Sequence, residues 1–353
     1  MKKSIISAAI IIFIITVSAF CVYSAVNKSA YDIYDYKHVS PISHKSRYFD
    51  FSVKEAADIS DDFIKENTTV IVRSAGERTE QISAELLADF FGRENIILVR
   101  NITPLRSAAE ISYEIALKKN KKWTLIVDSD VLIIKDRLVN FLKYAELASR
   151  KYDDIYCVNG FMISRFLEKP FVTGINLFYT ANLPKALKYL KESQVLKIEE
   201  YVKIKMSSQE KLLNYRFWYI IGLADFFQHY RDIIRKSVVF CYKWKMMEER
   251  KAFWAQNSAG DKEFQYALEG CRINREAESP LYTGYDSVDS RRLNEYIDKL
   301  VSENKIKIES QKPLKLNEAL NAVNYFKFEE QDTVKIDRSA EHRIYENGRM
   351  LEF

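Results

Sequence analysis

The sequence predicts an α/β fold in which helices flank a β-sheet, and three observations support this class. Three short runs rich in β-branched residues recur about 27 residues apart, amphipathic stretches lie between them, and an uncharged apolar run opens the chain. Continuous apolar strands joined by helices are typical of parallel sheets that are covered on both faces. The sequence therefore predicts a βαβαβ unit behind a separate N-terminal segment.

The apolar run is Ser4–Val26, 23 uncharged residues that follow Lys2 and Lys3. A helix of this length spans the roughly 30 Å of a bilayer's hydrocarbon core. A cleaved signal peptide is the alternative, but its apolar core is shorter, about 7 to 15 residues. We expect residues 1–26 to form a single-pass transmembrane anchor. Lysines occur on both sides of the run, so the side of the membrane that carries the remaining chain stays open.

Polar residues dominate 27–66, which we interpret as a stem, and the pattern changes at Thr68. The helix predicted over 80–91 ends at Gly92, a typical C-cap residue. The next helix is predicted to have Thr103 as N-cap and Pro104 as its first residue. The predicted strands are Thr68–Arg73, Asn95–Arg100 and Lys122–Val127.

The third strand is followed by an acidic pair, Asp128-Ser129-Asp130. Residues i and i+2 of an extended chain share a face, so both carboxylates can point at one spot while Ser129 points away. Two carboxylates this close repel each other unless a cation lies between them. All-oxygen ligands suit Mg²⁺ or Mn²⁺, and a diphosphate would complete the coordination shell. The alternative is a helix N-cap next to a solvated acid.

With this motif, residues 66–245 resemble the nucleotide-binding half of GT-A-fold glycosyltransferases, in which an Asp-x-Asp holds a divalent metal on a nucleotide-sugar diphosphate. The resemblance implies a GT-A-like, Rossmann-type mixed sheet as the catalytic domain, residues 67–285. It implies that Asp128 faces the sugar or ribose and contributes to the metal site, and that Asp130 binds the metal. The loop Ser74–Arg78, which contains Gly76, would hold the base and ribose.

Arginines near the strand ends are further candidates for donor binding. The resemblance places Arg106 where such enzymes often carry a basic residue, early in the helix before the Asp-x-Asp strand. A cation in the first helical turn also opposes the helix dipole unless an anion such as a diphosphate docks there. The alternative for Arg106 is a side chain directed at solvent. Arg73 and Arg78 flank the first loop, where they would contact the nucleotide or be solvated.

The second half of the domain contains the candidates for acceptor chemistry. If residues 222–245 are helical, Asp225, His229 and Asp232 lie on one face. The resemblance implies a late carboxylate as catalytic base and a late histidine on the metal, so Asp225 and His229 are our candidates. The alternative is ion pairing of Asp232 on a helix surface with His229 partly buried. Residues 155–158 and 172–179 are predicted strands.

Two further segments and the cysteines complete the prediction. The lysine-rich stretch Lys185–Lys205 is predicted to be a solvated helical face, or else a basic rim for anionic lipid or a phosphorylated acceptor. Residues 286–353 are predicted to form a small appendage: a helix near Ser290–Asn304 and a hairpin turning at Asn347-Gly348. The four cysteines are widely spaced, which argues against a zinc finger or a disulfide framework.

Composition limits the classes of function. The 353 residues are 47% hydrophobic and carry a net charge of only +5, which is too balanced for a nucleic-acid-binding protein. We predict a membrane-anchored glycosyltransferase that uses a nucleotide-sugar donor, Mn²⁺ or Mg²⁺, and a glycan, lipid or protein acceptor. Two alternatives stay open: a membrane-tethered module that binds nucleotide sugar or glycan without turnover, and a haloacid-dehalogenase-like phosphatase with Asp128 as nucleophile.

Overall fold

The computed structural model describes residues 48–167, 170–172, 174–192, 198–243, 247–277, 287–326, 328, 333–337, 344–346 and 349–351. All of these belong to one unit of the chain, residues 35–353. Within these ranges we find no helix that combines the length and apolar character required for a membrane span. The predicted anchor, Ser4–Val26, lies outside the described residues and stays a prediction.

Strands and helices alternate along most of the described chain. The strands are β1 (Tyr48–Ser52), β2 (Thr68–Ser74), β3 (Ile96–Arg100), β4 (Trp123–Asp128), β5 (Val131–Ile133), β6 (Ile155–Ser164), β7 (Ile175–Tyr179), β8 (Leu213–Ala224), β9 (Thr333–Asp337), β10 (Ile344–Glu346) and β11 (Arg349–Leu351). The α-helices are α1 (Val53–Ala57), α2 (Asp61–Asn67), α3 (Glu80–Phe91), α4 (Leu105–Lys119), α5 (Lys135–Lys151), α6 (Leu183–Glu192), α7 (Ile198–Glu210), α8 (Tyr230–Lys243), α9 (Met247–Asn257), α10 (Lys262–Glu276), α11 (Ser287–Ser302) and α12 (Leu316–Tyr325).

One large sheet organises these elements in the order β1-β9-β8-β6-β7-β4-β2-β3, with β5 also paired to β8. β2 is parallel to both β3 and β4, which confirms the predicted βαβαβ unit. β6 and β8 are parallel to each other, whereas β7 is antiparallel to both β4 and β6. The sheet is therefore mixed. Its strands β2, β3, β4, β6 and β8 all run in one direction, so their carboxyl ends lie at the same end of the sheet.

The central strands are apolar throughout because both faces of the sheet are covered. Val70 and Val72 of β2 pack in a cluster with side chains of α3 and α5. Ile71, between them, packs on the opposite face with side chains of α4, α6 and α7. The same alternation holds for β4, in which Ile126 lies on the face of Ile71. Helices on both faces thus fix the strand register, and with it the residues that follow each strand.

The end of α3 and the start of α4 agree with the sequence to within a residue. Gly92 ends α3 with φ 83°, as expected of a C-cap glycine. The predicted start of α4 was wrong by one position: Pro104 is the N-cap, with extended ψ 175°, and Leu105 is the first helical residue. Ala108 and Ser112 of α4 are buried, whereas Leu105 is 45% exposed.

Two predicted boundaries need correction because the sheet extends beyond them. The predicted stem reached residue 66, but Ala56, Ile59 and Ile64 are buried in the core cluster, and β1 pairs with β9. The predicted appendage began at residue 286, but β9 is antiparallel to β8 and lies within the main sheet. Both ends of the described chain therefore contribute strands to one sheet. The predicted C-terminal hairpin is confirmed by the antiparallel pair β10 and β11.

A disulfide joins α8 to α10 through Cys241 and Cys271, whose Cα atoms are 5.5 Å apart. Gly270 allows this approach, since a Cβ there would lie 2.6 Å from the carbonyl oxygen of Ile234. The sequence argued against a framework of several disulfides and did not anticipate this single bridge. Cys157 is buried and free.

Candidate functional site

Polar residues converge where the parallel strands end. Asp128 is the last residue of β4, Arg73 lies opposite it near the end of β2, and Ser164 ends β6. Asp225 follows directly on β8. In sheets of this kind ligands bind beyond the carboxyl ends of the strands, so this end of the sheet is the candidate site.

The first cluster of the site is built on Arg73, a side chain that is 5% exposed. Its Nε and Nη2 donate to Oδ1 of Asp128 at 3.0 and 2.8 Å. Its Nη1 donates to Oε1 of Glu199 at 2.5 Å. One buried guanidinium thus holds a carboxylate from the sheet and another from α7. The predicted contact of Arg73 with a nucleotide would therefore be indirect, through Asp128.

The second cluster joins the other half of the acidic pair to Asp225. The ammonium of Lys236, on α8, donates to Oδ2 of Asp130 and to Oδ1 of Asp225, both at 2.6 Å. The hydroxyl of Ser164 donates to the other oxygen of Asp225 at 3.3 Å. The side chains of Lys236, Asp130 and Asp225 are 21%, 19% and 13% exposed. The cluster is therefore shielded from most of the solvent.

Backbone geometry brings these residues together. β5 pairs with the end of β8, and the amide of Asp225 donates to the carbonyl of Asp130 at 3.0 Å. Asp225 has φ 65°, a left-handed conformation that aspartate tolerates better than most residues. The chain turns there, so the predicted single helix over 222–245 was wrong: Asp225 ends a strand, and α8 begins only at Tyr230.

A cavity of about 310 Å³ opens at this end of the sheet and is lined by both Asp128 and Asp225. Lys203 and Arg250 also line it, as do the aromatic rings of Phe171 and Phe240. The cavity therefore combines carboxylates, cations and apolar surface, which is typical of a site for a polar small molecule.

Burial favours the protonated form of three carboxylates of the site, but its balance with nearby charges shifts their pKa values in different directions. Burial, opposed by Arg73 and reinforced by the charge of Asp130, raises the pKa of Asp128 to about 6. Burial also raises the pKa of Asp225, and the ammonium of Lys236 offsets this only in part. Burial acts in the same sense on Glu199, but attraction to Arg73 outweighs it and lowers the pKa of that group. Asp225 thus has the raised proton affinity that a general base requires.

The loop after β2 is closed by Glu77. Its Oε2 accepts from the hydroxyls of Ser74 and Ser129 at 3.0 and 2.6 Å and from the amide of Ala75 at 2.7 Å. Ser129 therefore points away from the two aspartates, as the alternation predicted. Gly76, in the same loop, is exposed and has φ 96°.

Two predicted donor-binding arginines contact carbonyl groups of the protein. Arg78 donates to the carbonyls of Phe227 and Lys312 at 3.3 and 2.6 Å, and so ties the first loop to the segment after β8. Arg106 donates to the carbonyl of Lys191, at the end of α6, at 2.6 Å. Neither arginine lines the cavity described above. A role for them in donor binding stays a prediction.

The predicted metal site does not fit the described side chains. Asp128 is paired with Arg73, and Asp130 with Lys236, so each aspartate already has a cationic partner. His229 is exposed, and the described residues bring no three His, Cys, Asp or Glu side chains together as ligands. A divalent ion at this place would compete with the ammonium of Lys236 for the same carboxylate oxygens. Mn²⁺ or Mg²⁺ stays a sequence prediction.

Several residues of the cavity escaped the sequence analysis. Lys203 was expected on a solvated face but is 9% exposed, and it donates to Oδ1 of Asn176 at 2.7 Å. Asn159 donates to the same oxygen at 2.9 Å. The available signal was an asparagine inside each of two otherwise apolar strands, since buried amides need partners. Glu199 and Lys203, four residues apart on α7, gave a second signal.

Comparisons with known proteins add little to this geometry. No protein-family model matches the chain, and no curated protein matches it. A solved glycosyltransferase involved in the glycosylation of the major capsid of PBCV-1 is 13% identical, with a TM-score of 0.27 over 40% of this chain and 75% of that one. A solved cytidylyltransferase from Leptospira borgpetersenii is 12% identical, with a TM-score of 0.29 over 62% and 99%. Similarities this low do not support a conclusion about fold or function.

Proposed function

We propose that this protein is a membrane-anchored glycosyltransferase that moves a sugar from a nucleotide-diphosphate donor to a hydroxyl of a glycan, lipid or protein. The observation that carries the proposal is that Asp128 and Asp225, selected separately from the sequence, line one cavity at the carboxyl ends of the strands. That is where α/β sheets bind their ligands. The predicted anchor, residues 1–26, would hold the site near the membrane.

Each side chain has a role in such a transfer. Asp128, held by Arg73, would accept hydrogen bonds from the hydroxyls of the sugar or ribose. In an inverting transfer, the oxygen of the acceptor hydroxyl would attack the anomeric carbon, and Asp225 would take the proton of that hydroxyl. Lys203 and Arg250, cations of the cavity wall, would stabilise the negative charge that develops on the leaving diphosphate.

The test combines donor binding with turnover in the full-length protein. Calorimetric titration with UDP, GDP and dTDP, each with Mn²⁺ and with EDTA, should identify one nucleotide that binds. Asp225→Asn should keep that affinity within about twofold and lose at least about 100-fold in transfer, the usual range for a general base. Asp232→Asn is the matched control: this helix residue pairs with Arg235 at 3.4 Å and should keep both properties.

Other outcomes would assign the site to another class. Binding of a nucleotide sugar with no turnover for any acceptor would indicate a binding module. Release of phosphate from simple esters, with an acyl-phosphate on Asp128, would indicate a phosphatase. The pairing of Asp128 with Arg73 argues against the latter, because the guanidinium draws electron density from the carboxylate that would have to attack. Failure of every nucleotide to bind would overturn the transferase.

A further inference from the structure

Lys236 occupies the position at which a cation is needed. Asp130 and Asp225 come from different elements, and the backbone hydrogen bond between them keeps their side chains close. Two shielded carboxylates in this arrangement repel each other, and an ion between them would remove the repulsion. The ammonium of Lys236 lies 2.6 Å from an oxygen of each. The chain therefore supplies from α8 the charge that the sequence assigned to a metal.

The carboxylates that surround the ammonium of Lys236 are fixed by the sheet. Lys236 is held by carboxylates on two strand ends, whereas many lysines of the chain pair on the surface, such as Lys191 with Glu110 and Glu114. A bound metal can leave the site, but a covalently attached cation cannot.

We propose that Lys236 is the resident cation of this site and replaces a divalent metal. It acts as a positioning residue: by neutralising Asp130 it holds Asp225 toward the cavity. As part of the proposed function, donor binding and sugar transfer then proceed without added metal. The acidic pair that the sequence predicts as a metal site is, in this protein, divided between two ion-pair clusters: Asp128 pairs with Arg73, and Asp130 pairs with Lys236.

The first experiment measures binding of Mn²⁺ alone to the full-length protein by electron paramagnetic resonance. The wild-type protein should bind Mn²⁺ no more tightly than about 1 mM, whereas Lys236→Met, which vacates the place between two carboxylates, should bind it at least tenfold more tightly. Lys122→Met is the matched control. It removes an ammonium from a single buried carboxylate, Glu146, and should gain no affinity.

Each outcome decides the proposal. Micromolar Mn²⁺ binding by the wild-type protein that Asp130→Asn removes would overturn it. So would a folded Lys236→Met protein, checked by circular dichroism, that gains no Mn²⁺ affinity. Lys236→Gln serves as a second variant if the methionine variant does not fold, and the wild-type measurement stands in either case.

The second experiment separates this inference from the proposed function. Transfer is measured in EDTA and in Mn²⁺ with the nucleotide sugar identified by calorimetry. Wild-type activity should be equal within twofold in the two buffers, and activity of Lys236→Met should fall at least tenfold in EDTA and recover in part with Mn²⁺. Wild-type activity only in Mn²⁺ would overturn the role of Lys236 and leave the transferase intact. No activity in either buffer would count against the transferase itself.

Discussion

Arg73 is the residue on which the charge balance of the site depends most. Its guanidinium is buried between Asp128 and Glu199, so Arg73→Ala would leave two carboxylates without their cation. We expect a loss of about 3–5 kcal/mol in the free energy of unfolding, the usual cost of breaking a buried ion pair. Urea denaturation measures it. Arg93→Ala is the control, because Arg93 is 78% exposed beside Glu85 and should change stability by less than about 1 kcal/mol.

Asp225 should give the transferase a pH-dependent rate. A base accepts a proton only when it is ionised, and burial raises the pKa of Asp225 above the ordinary value of about 3.9. We expect kcat/KM to rise with pH up to that raised pKa and to level off above it. In Asp232→Asn the acid limb should persist. A profile that stays flat down to pH 4 would remove Asp225 as the base.

A raised pKa also makes the stability of the fold depend on pH, and at Asp128 stability should fall as pH rises. Burial raises the pKa of Asp128 to about 6, so the fold favours the protonated carboxyl. The stabilisation is fully present below the unfolded pKa of about 3.9 and is lost as pH rises through about 6. Asp128→Asn, which cannot ionise, should show no such fall between pH 4 and 6. Thermal unfolding across this range measures the difference.

Residue patterns predicted two carboxylates of the site but neither the turn after β8 nor the cation that pairs with Asp225. Asp128 of the acidic pair after β4 and the carboxylate of Asp225 were both selected from the sequence, and both line the cavity, whereas Asp130 pairs with Lys236. Asp225 was selected for a helical face that does not exist. The segment 222–229 contains no Pro, so nothing in local propensity marked the turn at the end of β8. Lys236, the partner of Asp130 and Asp225, could not be predicted from sequence spacing, because tertiary packing places α8 beside the strand ends.

Among the described elements, β8 pairs with three other strands, β5, β6 and β9. Gly222 lies where β8 meets β5, and a Cβ there would be 2.5 Å from the carbonyl oxygen of Leu132. Gly222→Ala should therefore cost at least about 1–3 kcal/mol, as overpacking does. Gly260→Ala is the control because nothing lies within 4 Å of the added Cβ. Equal melting temperatures for the two variants would contradict this packing.

The bridge between α8 and α10 should stabilise the helices that carry Lys236. It closes a loop with a sequence separation of 30 residues, for which the chain-entropy model gives about 3–4 kcal/mol. We expect the protein purified without reductant to show one free thiol under denaturing conditions in the described part of the chain, that of Cys157. Dithiothreitol should lower the melting temperature. A melting temperature insensitive to reductant would indicate that the bridge contributes nothing.

The elements themselves were predicted most reliably where the sequence is most regular. β2, β3 and β4 begin and end within a residue of the predicted strands, because buried parallel strands are continuous apolar runs. β1 and β9 were missed, since each has only five residues and neither forms a continuous apolar run. Such short strands are defined by their partners, and those partners are distant in sequence.

At the scale of the whole molecule, the pairing of β9 with β1 and β8 predicts which truncations are tolerated. A chain ending at residue 328 would lack β9 and leave β8 and β1 without their shared neighbour. We expect it to aggregate, because unpaired strands aggregate. A chain ending at residue 340 keeps β9 and should purify without aggregation and with an unchanged circular dichroism spectrum. A shorter chain that purifies folded and free of aggregates would show that β9 is dispensable.

The position of β9 also determines when the protein can finish folding. β1 is among the first described segments to be synthesised, and the strand that pairs with it is among the last. A ribosome must therefore translate the chain from β1 through β9 before this side of the sheet can close. Until then β1 lacks its partner strand. An unpaired strand can pair with the wrong strand, which is the kind of misfolding that chaperones counter.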